Sequence, residues 1–259
     1  MKDIFFKDIY NNSLITWDYL INDINNSSIY NSYCKSADYY IVFKHIFLSL
    51  LINEEIILLD SNFTEPELIK LTGYSDYDQF IKPLDRKKIS IITNKNQLIA
   101  MLSKPKKNWK ITLFTSGTTG LPKKVSHDFK SITRFVRVSE RNKKSVWGFA
   151  YNPTHMAGIQ VLFQALLNCN SIIRIFGLNT KDIYNEIETN RITHISATPT
   201  FYRLLLPSKK RFLFVERITS GGEKFNEQIF NQLKIIFPKA RITNVYALTE
   251  AGTLFASQN

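Results

Sequence analysis

The stretch Leu113-Phe114-Thr115-Ser116-Gly117-Thr118-Thr119-Gly120-Leu121-Pro122-Lys123-Lys124-Val125 decides how this chain is read. Lys110 to Phe114 is a short, mostly apolar strand leading into a turn that concentrates hydroxyls, glycines and lysines. Glycines let backbone N–H groups approach an anion closely, hydroxyls donate further hydrogen bonds, and lysine supplies charge. That chemistry suits a loop that wraps polyphosphate. The G-x-x-x-x-G-K-[ST] spacing of the common P-loop is absent. Taken alone, the same residues also describe an ordinary surface turn, so the rest of the chain has to decide.

From Lys110 onward, strand-like and helix-like patterns alternate. Apolar runs predict strands over Val146–Tyr151, Ser171–Phe176, Thr193–Ala197, Phe212–Ile218 and Arg241–Ala247. Helical spacing predicts helices over Asp128–Val138 and Met156–Leu167. Asp182–Asn190 reads as a helix capped by Thr180 with Ile183 and Ile187 inward, and Pro199 opens another running to Leu206. Asn226 caps a last helix carrying Ile229, Phe230, Leu233, Ile236 and Phe237. Such alternation implies βαβ units, hence an α/β fold with a mainly parallel sheet flanked by helices on both faces. Earlier in the chain, Val42–Leu51 reads as a helix, Ile56–Leu59 as a strand and Glu65–Leu71 as a helix. The Asn/Ser-rich segment Ile24–Ser32 reads as a loop. Pro105 and its neighbouring lysines suggest a lobe boundary near residues 103–110.

At 259 residues, with 44% hydrophobic and 22% charged residues, the chain has the composition of a soluble globular protein with a sizeable core. The apolar region Tyr39 to Ile52 is interrupted by Lys44 and His45 and is too short to span a bilayer. The N-terminus does not resemble a signal peptide, and Cys34 and Cys169 form neither a disulfide framework nor a metal-ligand pattern. A cytoplasmic location is the expectation. The formal charge of +12 is spread over short runs such as Arg86-Lys87-Lys88, Lys143-Lys144 and Lys209-Lys210-Arg211. It reads mainly as solvated surface; no nucleic-acid motif accompanies it, and no nucleic-acid partner is expected.

Three further motifs follow the loop. Asn152-Pro153-Thr154-His155-Met156-Ala157-Gly158 makes His155 the one candidate among four histidines, against the bland alternative of a structural histidine at a helix start. Thr219-Ser220-Gly221-Gly222-Glu223 follows one strand and precedes a capped helix, where glycine is also used for steric reasons alone. Asn244-Val245-Tyr246-Ala247-Leu248-Thr249-Glu250 ends the last strand, and without the loop would read as a core tyrosine beside an exposed acid.

Together with TSGTTGLPKK and the Ala197-Thr198-Pro199 turn, these motifs resemble the adenylate-forming superfamily of acyl-CoA synthetases, peptide-synthetase adenylation domains and luciferases. They occur in that family's order, over roughly Asp60 to Ala256. The resemblance implies the layered architecture of the large ATP-binding domain of acyl-CoA synthetases. It implies that Thr115, Ser116, Gly117, Thr118, Thr119, Gly120 and Lys123 hold ATP phosphates. Gly221, Gly222, Glu223, Tyr246 and Ala247 would line the adenine pocket, with Ala247 in place of the usual glycine. Thr249 would bond the α-phosphate, Glu250 would help hold Mg²⁺, and His155 would stand where carboxylate and nucleotide meet. His127 resembles a common family residue without an implied role, and His45 and His194 read as structural.

The implied reaction joins a small carboxylic acid to ATP as an acyl-adenylate, with coenzyme A or a phosphopantetheine carrier as acceptor. The chain stops at Asn259, nine residues beyond Glu250, so the family's C-terminal lid domain is expected to be absent. The N-terminal region also looks short for the family. Three readings stay open: a ligase core acting with a separate C-terminal domain protein or in reduced form, a non-catalytic remnant that at most binds nucleotide, and an unrelated basic binding protein.

Overall fold

A computed structural model describes residues 3–85, 89–104, 107–115, 122–223, 226–248 and 252–258, with 246–248 and 252–258 as backbone only. Strands β1 (Ile4–Asp8) and β2 (Ser13–Thr16) precede helix α1 (Trp17–Asn26), strands β3 (Ile29–Asn31) and β4 (Tyr33–Lys35), and helix α2 (Tyr39–Ile52). Then come β5 (Ile56–Leu59), α3 (Glu65–Thr72), β6 (Ile81–Pro83), α4 (Lys95–Leu102), β7 (Lys110–Thr115), β8 (Lys123–Asp128) and α5 (Phe129–Thr133). They are followed by β9 (Val146–Phe149), α6 (Met156–Leu166), β10 (Ser171–Arg174), α7 (Thr180–Thr189), β11 (His194–Ala197) and α8 (Pro199–Leu204). The described elements end with β12 (Arg217–Gly221), α9 (Glu227–Ile236), β13 (Arg241–Leu248) and β14 (Gly252–Gln258).

These elements form two compact units, and the chain passes between them more than once. The first holds Ile15–Val136 and Pro153–Cys169; the second holds Ile4–Leu14, Arg137–Asn152 and the chain from Asn170 onward. Residues 103–110 lie inside the first. A four-stranded sheet there has the order β4-β5-β7-β8, in which β5 runs parallel to both neighbours and β7–β8 is an antiparallel hairpin. The other large sheet has eight strands in the order β14-β13-β12-β11-β9-β10-β1-β2. Every pairing from β13 across to β1 is parallel, and β14 is added antiparallel. The expected α/β fold with mainly parallel strands flanked by helices is what the chain adopts.

Burial follows the pattern that parallel strands require. Ile195, Ile218 and Ile242 pair directly across β11, β12 and β13 and are almost wholly buried with Ile183 and Ile187 of α7 and Leu233 and Ile236 of α9. Gly148 of β9 is enforced by this packing, since a Cβ there would lie 2.8 Å from Ile175 Cδ1. In the first unit, Trp109, Phe129 and Phe163 pack edge to face, and Trp109 Nε1 donates to Ser49 Oγ at 2.8 Å.

A buried ion pair clasps the N-terminal strand. Arg174 Nη1 lies 2.9 Å from Asp8 Oδ2, with the two side chains 8% and 1% exposed. Tyr10 N and Asn11 Nδ2 also donate to Asp8, Arg174 Nε donates to the Phe176 carbonyl, and the guanidinium lies 4.7 Å from the Tyr10 ring centre. This saturation is what offsets the desolvation of both charges.

Four sequence expectations are corrected. Helix α5 stops at Thr133 instead of Val138, because Thr133 Oγ1 bonds back to the Phe129 carbonyl and Val136 N closes a turn on Thr133; Phe135 and Val138 are exposed. Phe212–Glu216 is not strand: Phe212 N donates to the Ile236 carbonyl and its ring stacks on Phe237, so it plugs the end of α9. The cap of α7 is Asn179, whose side chain accepts from Asp182 N, while Thr180 Oγ1 donates to the Leu204 carbonyl. The Ile24–Ser32 segment contains the end of α1 and all of β3 instead of a loop.

Replacing Asp8 with Ala strands a buried guanidinium, and urea unfolding is expected to show a loss of about 3–5 kcal/mol. Adding Arg174→Met to that variant should recover much of the loss.

Candidate active site

The first unit collects the phosphate-loop ends, His155 and an acid at one end of its sheet. Register in the hairpin pairs Thr115 with Lys123 and Phe114 with Lys124, so residues 116–122 are the connection between β7 and β8. Thr115 is half-buried and Lys123 exposed. Ser116, Gly117, Thr118, Thr119 and Gly120 lie outside the described residues. The strand that carries the loop is pinned from below: Thr112 Oγ1 donates to Glu55 Oε1 at 2.9 Å and lies 2.7 Å from Ser126 Oγ. Phe114 packs edge to face on Phe63.

His155 occupies the N-cap position of α6, and its carbonyl accepts from Ile159 N. Its Nε2 lies 3.4 Å from Asp60 Oδ2; the imidazole is 57% exposed and the carboxylate 16%. Asp60 Oδ1 accepts from Asn62 N at 2.9 Å, so the carboxylate is held by a turn immediately after β5. β5 and β7 are parallel neighbours, and Asp60 and Thr115 therefore leave the sheet at the same end. Sequence reading did not single out Asp60. The available signal was an acid directly after the apolar run Ile56–Leu59, where parallel strands present functional groups. His127 of β8 is buried, with Nδ1 3.5 Å from Ser131 Oγ.

The second unit carries its motifs at the carboxyl ends of parallel strands, the usual place for ligand-binding turns in such sheets. After β11, Thr198 caps α8 by accepting from Phe201 N at 3.2 Å, with Pro199 in the first turn. After β12, Gly222 has φ +85°, a conformation that favours glycine. A Cβ on Gly221 would lie 3.2 Å from the Val245 carbonyl oxygen of β13. Glu223 joins the two turns: its Oε2 accepts from Thr200 N at 3.1 Å and Thr200 Oγ1 at 2.6 Å, with Arg203 Nη1 at 3.6 Å. Tyr151, just beyond β9, lies 3.3 Å from Ser196 Oγ, and burial pushes its hydroxyl up to about 12. Tyr202 of α8 donates to the Ile195 and Thr219 carbonyls, tying that helix to β11 and β12.

Tyr246 and Ala247 belong to β13, where a register shift against β14 falls between them. Thr249 and Glu250 lie outside the described residues. Just before Tyr246, Asn244 pairs directly with Ser220 of β12, which puts both side chains on one face. Asn244 Oδ1 and Ser220 Oγ are buried and have no hydrogen-bond partner among the described residues. Such atoms are uncommon in native structures and require a reason. The motif around each was visible in the sequence, but their shared face follows from the strand register alone.

Comparison with known proteins places the fold and the family of the chain. The chain is 26% identical over 148 residues to a 2-succinylbenzoate–CoA ligase of Staphylococcus epidermidis, covering 55% of this chain and 31% of that protein. It is 28% identical over 145 residues to bacitracin synthase 3 of Bacillus licheniformis, covering 53% of this chain and 2% of that protein. The chain thus spans about a third or less of these curated relatives. In fold it resembles O-succinylbenzoate coenzyme A synthetase from Bacillus subtilis in complex with ATP and magnesium ion, with TM-score 0.66 at 15% identity. That match covers 99% of this chain and 59% of the other. It also resembles the N-terminal subdomain of Klebsiella oxytoca NpsA bound to 3-hydroxyanthranilyl-AMSN, with TM-score 0.68 at 16% identity, covering 99% and 71%. A family model described as AMP-binding enzyme matches residues 43–259, from α2 through every motif above, and the chain belongs to that family.

Proposed function

We propose that this chain serves the ATP-dependent activation of a small carboxylic acid as its acyl-adenylate, in the manner of an acyl-CoA ligase. The observation that carries the reading is the pair of buried polar atoms without a partner among the described residues, Asn244 Oδ1 and Ser220 Oγ, beside the Gly221–Gly222 turn. An acceptor without a donor, next to backbone that a side chain would crowd, fits a planar base bearing an exocyclic amine. ATP supplies that donor. Tyr246 would stack on the base, with Ala247 beside it; Gly221 and Gly222 would approach it, and Glu223 would hold their turn against Thr200.

In the reaction, a carboxylate oxygen attacks the α-phosphorus, the bond from that phosphorus to the bridging oxygen breaks, and pyrophosphate leaves with the electron pair. The attacking group is already an anion, so no general base is needed; the chain's task is alignment and charge stabilisation. Thr115, the loop residues Ser116 to Gly120, and Lys123 would grip the departing phosphates, and Thr249 the α-phosphate. His155, oriented by Asp60, would stand by for the acid.

The donor set fits magnesium, which keeps several waters and takes one or two carboxylates plus phosphates. Glu250 would hold the ion, which when bound neutralises phosphate charge. No described group of three acidic, histidine or cysteine ligands competes for it. Coenzyme A or a phosphopantetheine carrier would accept the acyl group, and a separate C-terminal portion would complete the site. Among the described residues no helix is long and apolar enough to cross a membrane, and a cytoplasmic location suits this reading.

Carboxylate-dependent ATP–pyrophosphate exchange by the chain, with a mixed pool of small acids, is expected to exceed that of Lys123→Ala. Retained ATP binding without exchange would leave nucleotide binding as the function of this chain alone. Loss of both would overturn the proposal. Asn244→Ala is expected to weaken ATP binding by about tenfold while leaving inosine triphosphate binding unchanged, because that base lacks the amine. Equal losses for both nucleotides in equilibrium titrations would remove the assigned role of Asn244.

A further inference from the structure

The ATP motifs of the second unit stand at the carboxyl ends of its parallel strands; the amino ends carry different chemistry. β11, β12 and β13 begin at His194, Arg217 and Arg241, which pair directly along the ladder, and His194 pairs on its other side with Trp147. Directly paired residues project to one face and stand about 4.8 Å apart. The two guanidiniums therefore lie in a row with the His194 and Trp147 rings, whose centres are 5.0 Å apart.

Arg137 and Arg141 join from the segment before β9, which Asn142 fixes in place. Asn142 Nδ2 donates to the Arg137 carbonyl at 2.7 Å, and its own carbonyl accepts from Asn170 Nδ2 at 2.8 Å. Asn170 Oδ1 in turn accepts from Trp147 Nε1 at 3.1 Å, which ties this segment to the row. The charges act on one another. Burial, then Arg241, Arg141 and Arg137, lowers the Arg217 pKa against the opposing effect of Glu216. Burial, then Arg217 and Arg141, brings His194 down to about 4. Among the described residues, no ion pair engages Arg141, Arg217 or Arg241.

Arginine forks are suited to paired phosphate oxygens, and Arg141, Arg217 and Arg241, none of them in an ion pair among the described residues, repel one another until an anion arrives. We propose that this row, Arg217 and Arg241 with Arg141, is a binding site for a small diphosphate or bisphosphate group. Two phosphates together carry about −3 charge near neutral pH, which matches three guanidiniums better than a single phosphate does. The site is separate from the ATP motifs: Arg217 and Gly221 are opposite ends of β12, roughly 13 Å apart at about 3.3 Å per residue.

The test is a titration of the full chain with inorganic pyrophosphate, read at the His194 ring by NMR and assigned through His194→Gln. Saturable movement of the His194 signals is expected, weakened about tenfold or more in R217Q/R241Q. Without pyrophosphate, that variant should melt no lower than the parent in low salt, because repulsion has been relieved, and this establishes that it folds. Pyrophosphate bound only at the phosphate loop would leave His194 unmoved, so failure here is distinguishable from failure of the ATP reading. Unmoved His194 signals, or an equal midpoint in R217Q/R241Q, overturns the proposal. So does tighter binding at His194 by an oligonucleotide of roughly ten residues, which would make the row a nucleic-acid surface.

Discussion

One ladder register governs the second unit. Ile195, Ile218 and Ile242 are level with one another, and two residues on, Ala197, Ser220 and Asn244 are level as well. Both rows share a face, and the isoleucine row is buried under helices, so the apolar demand fixes the alignment. A slip of one residue would turn those isoleucines out of the core and carry Ser220 and Asn244 with them. Gly221 would then lose its close approach to the Val245 carbonyl, and the arginines that open the strands would no longer stand in line. Hydrophobic packing in the middle of three strands thus positions polar groups at both ends.

The parallel part of this arrangement was legible because a buried strand announces itself as a compact apolar run. Ser171–Arg174, His194–Ala197 and Arg241–Leu248 fall within a residue or two of where such runs predict them. Legibility failed where burial and strand formation part company. Phe212 and Val215 are buried as deeply as any strand residue, yet they belong to a turn against α9. The N-terminal strand was invisible for another reason: Ile4–Asp8 is a five-residue segment whose partner is β10, and nothing local specifies that distant pairing.

The candidate site was readable as motifs and unreadable as geometry. Glycines announce themselves by type, and Gly222 has the positive φ that its turn requires. Asp60 carries no such mark. Its proximity to His155 comes from the placement of β5 and α6, and only the folded first unit displays it. Glu223 teaches the converse, for a residue picked out by its motif has its carboxylate committed to Thr200. Charge was hardest to read. The eye is drawn to runs such as Lys209-Lys210-Arg211, while the arginines of the strand starts are scattered in sequence and become neighbours only through pairing.

The clasp between Asp8 and Arg174 joins groups 166 residues apart. On a ribosome, β1 is made long before β10, and until β10 emerges the edge of β1 opposite β2 has no partner strand. For that interval an apolar strand bearing Phe5 and Phe6 has an open edge, a surface prone to unwanted pairing. β1 is therefore satisfied on both edges only when β10 arrives, although it is synthesised before β2, β9 and β10.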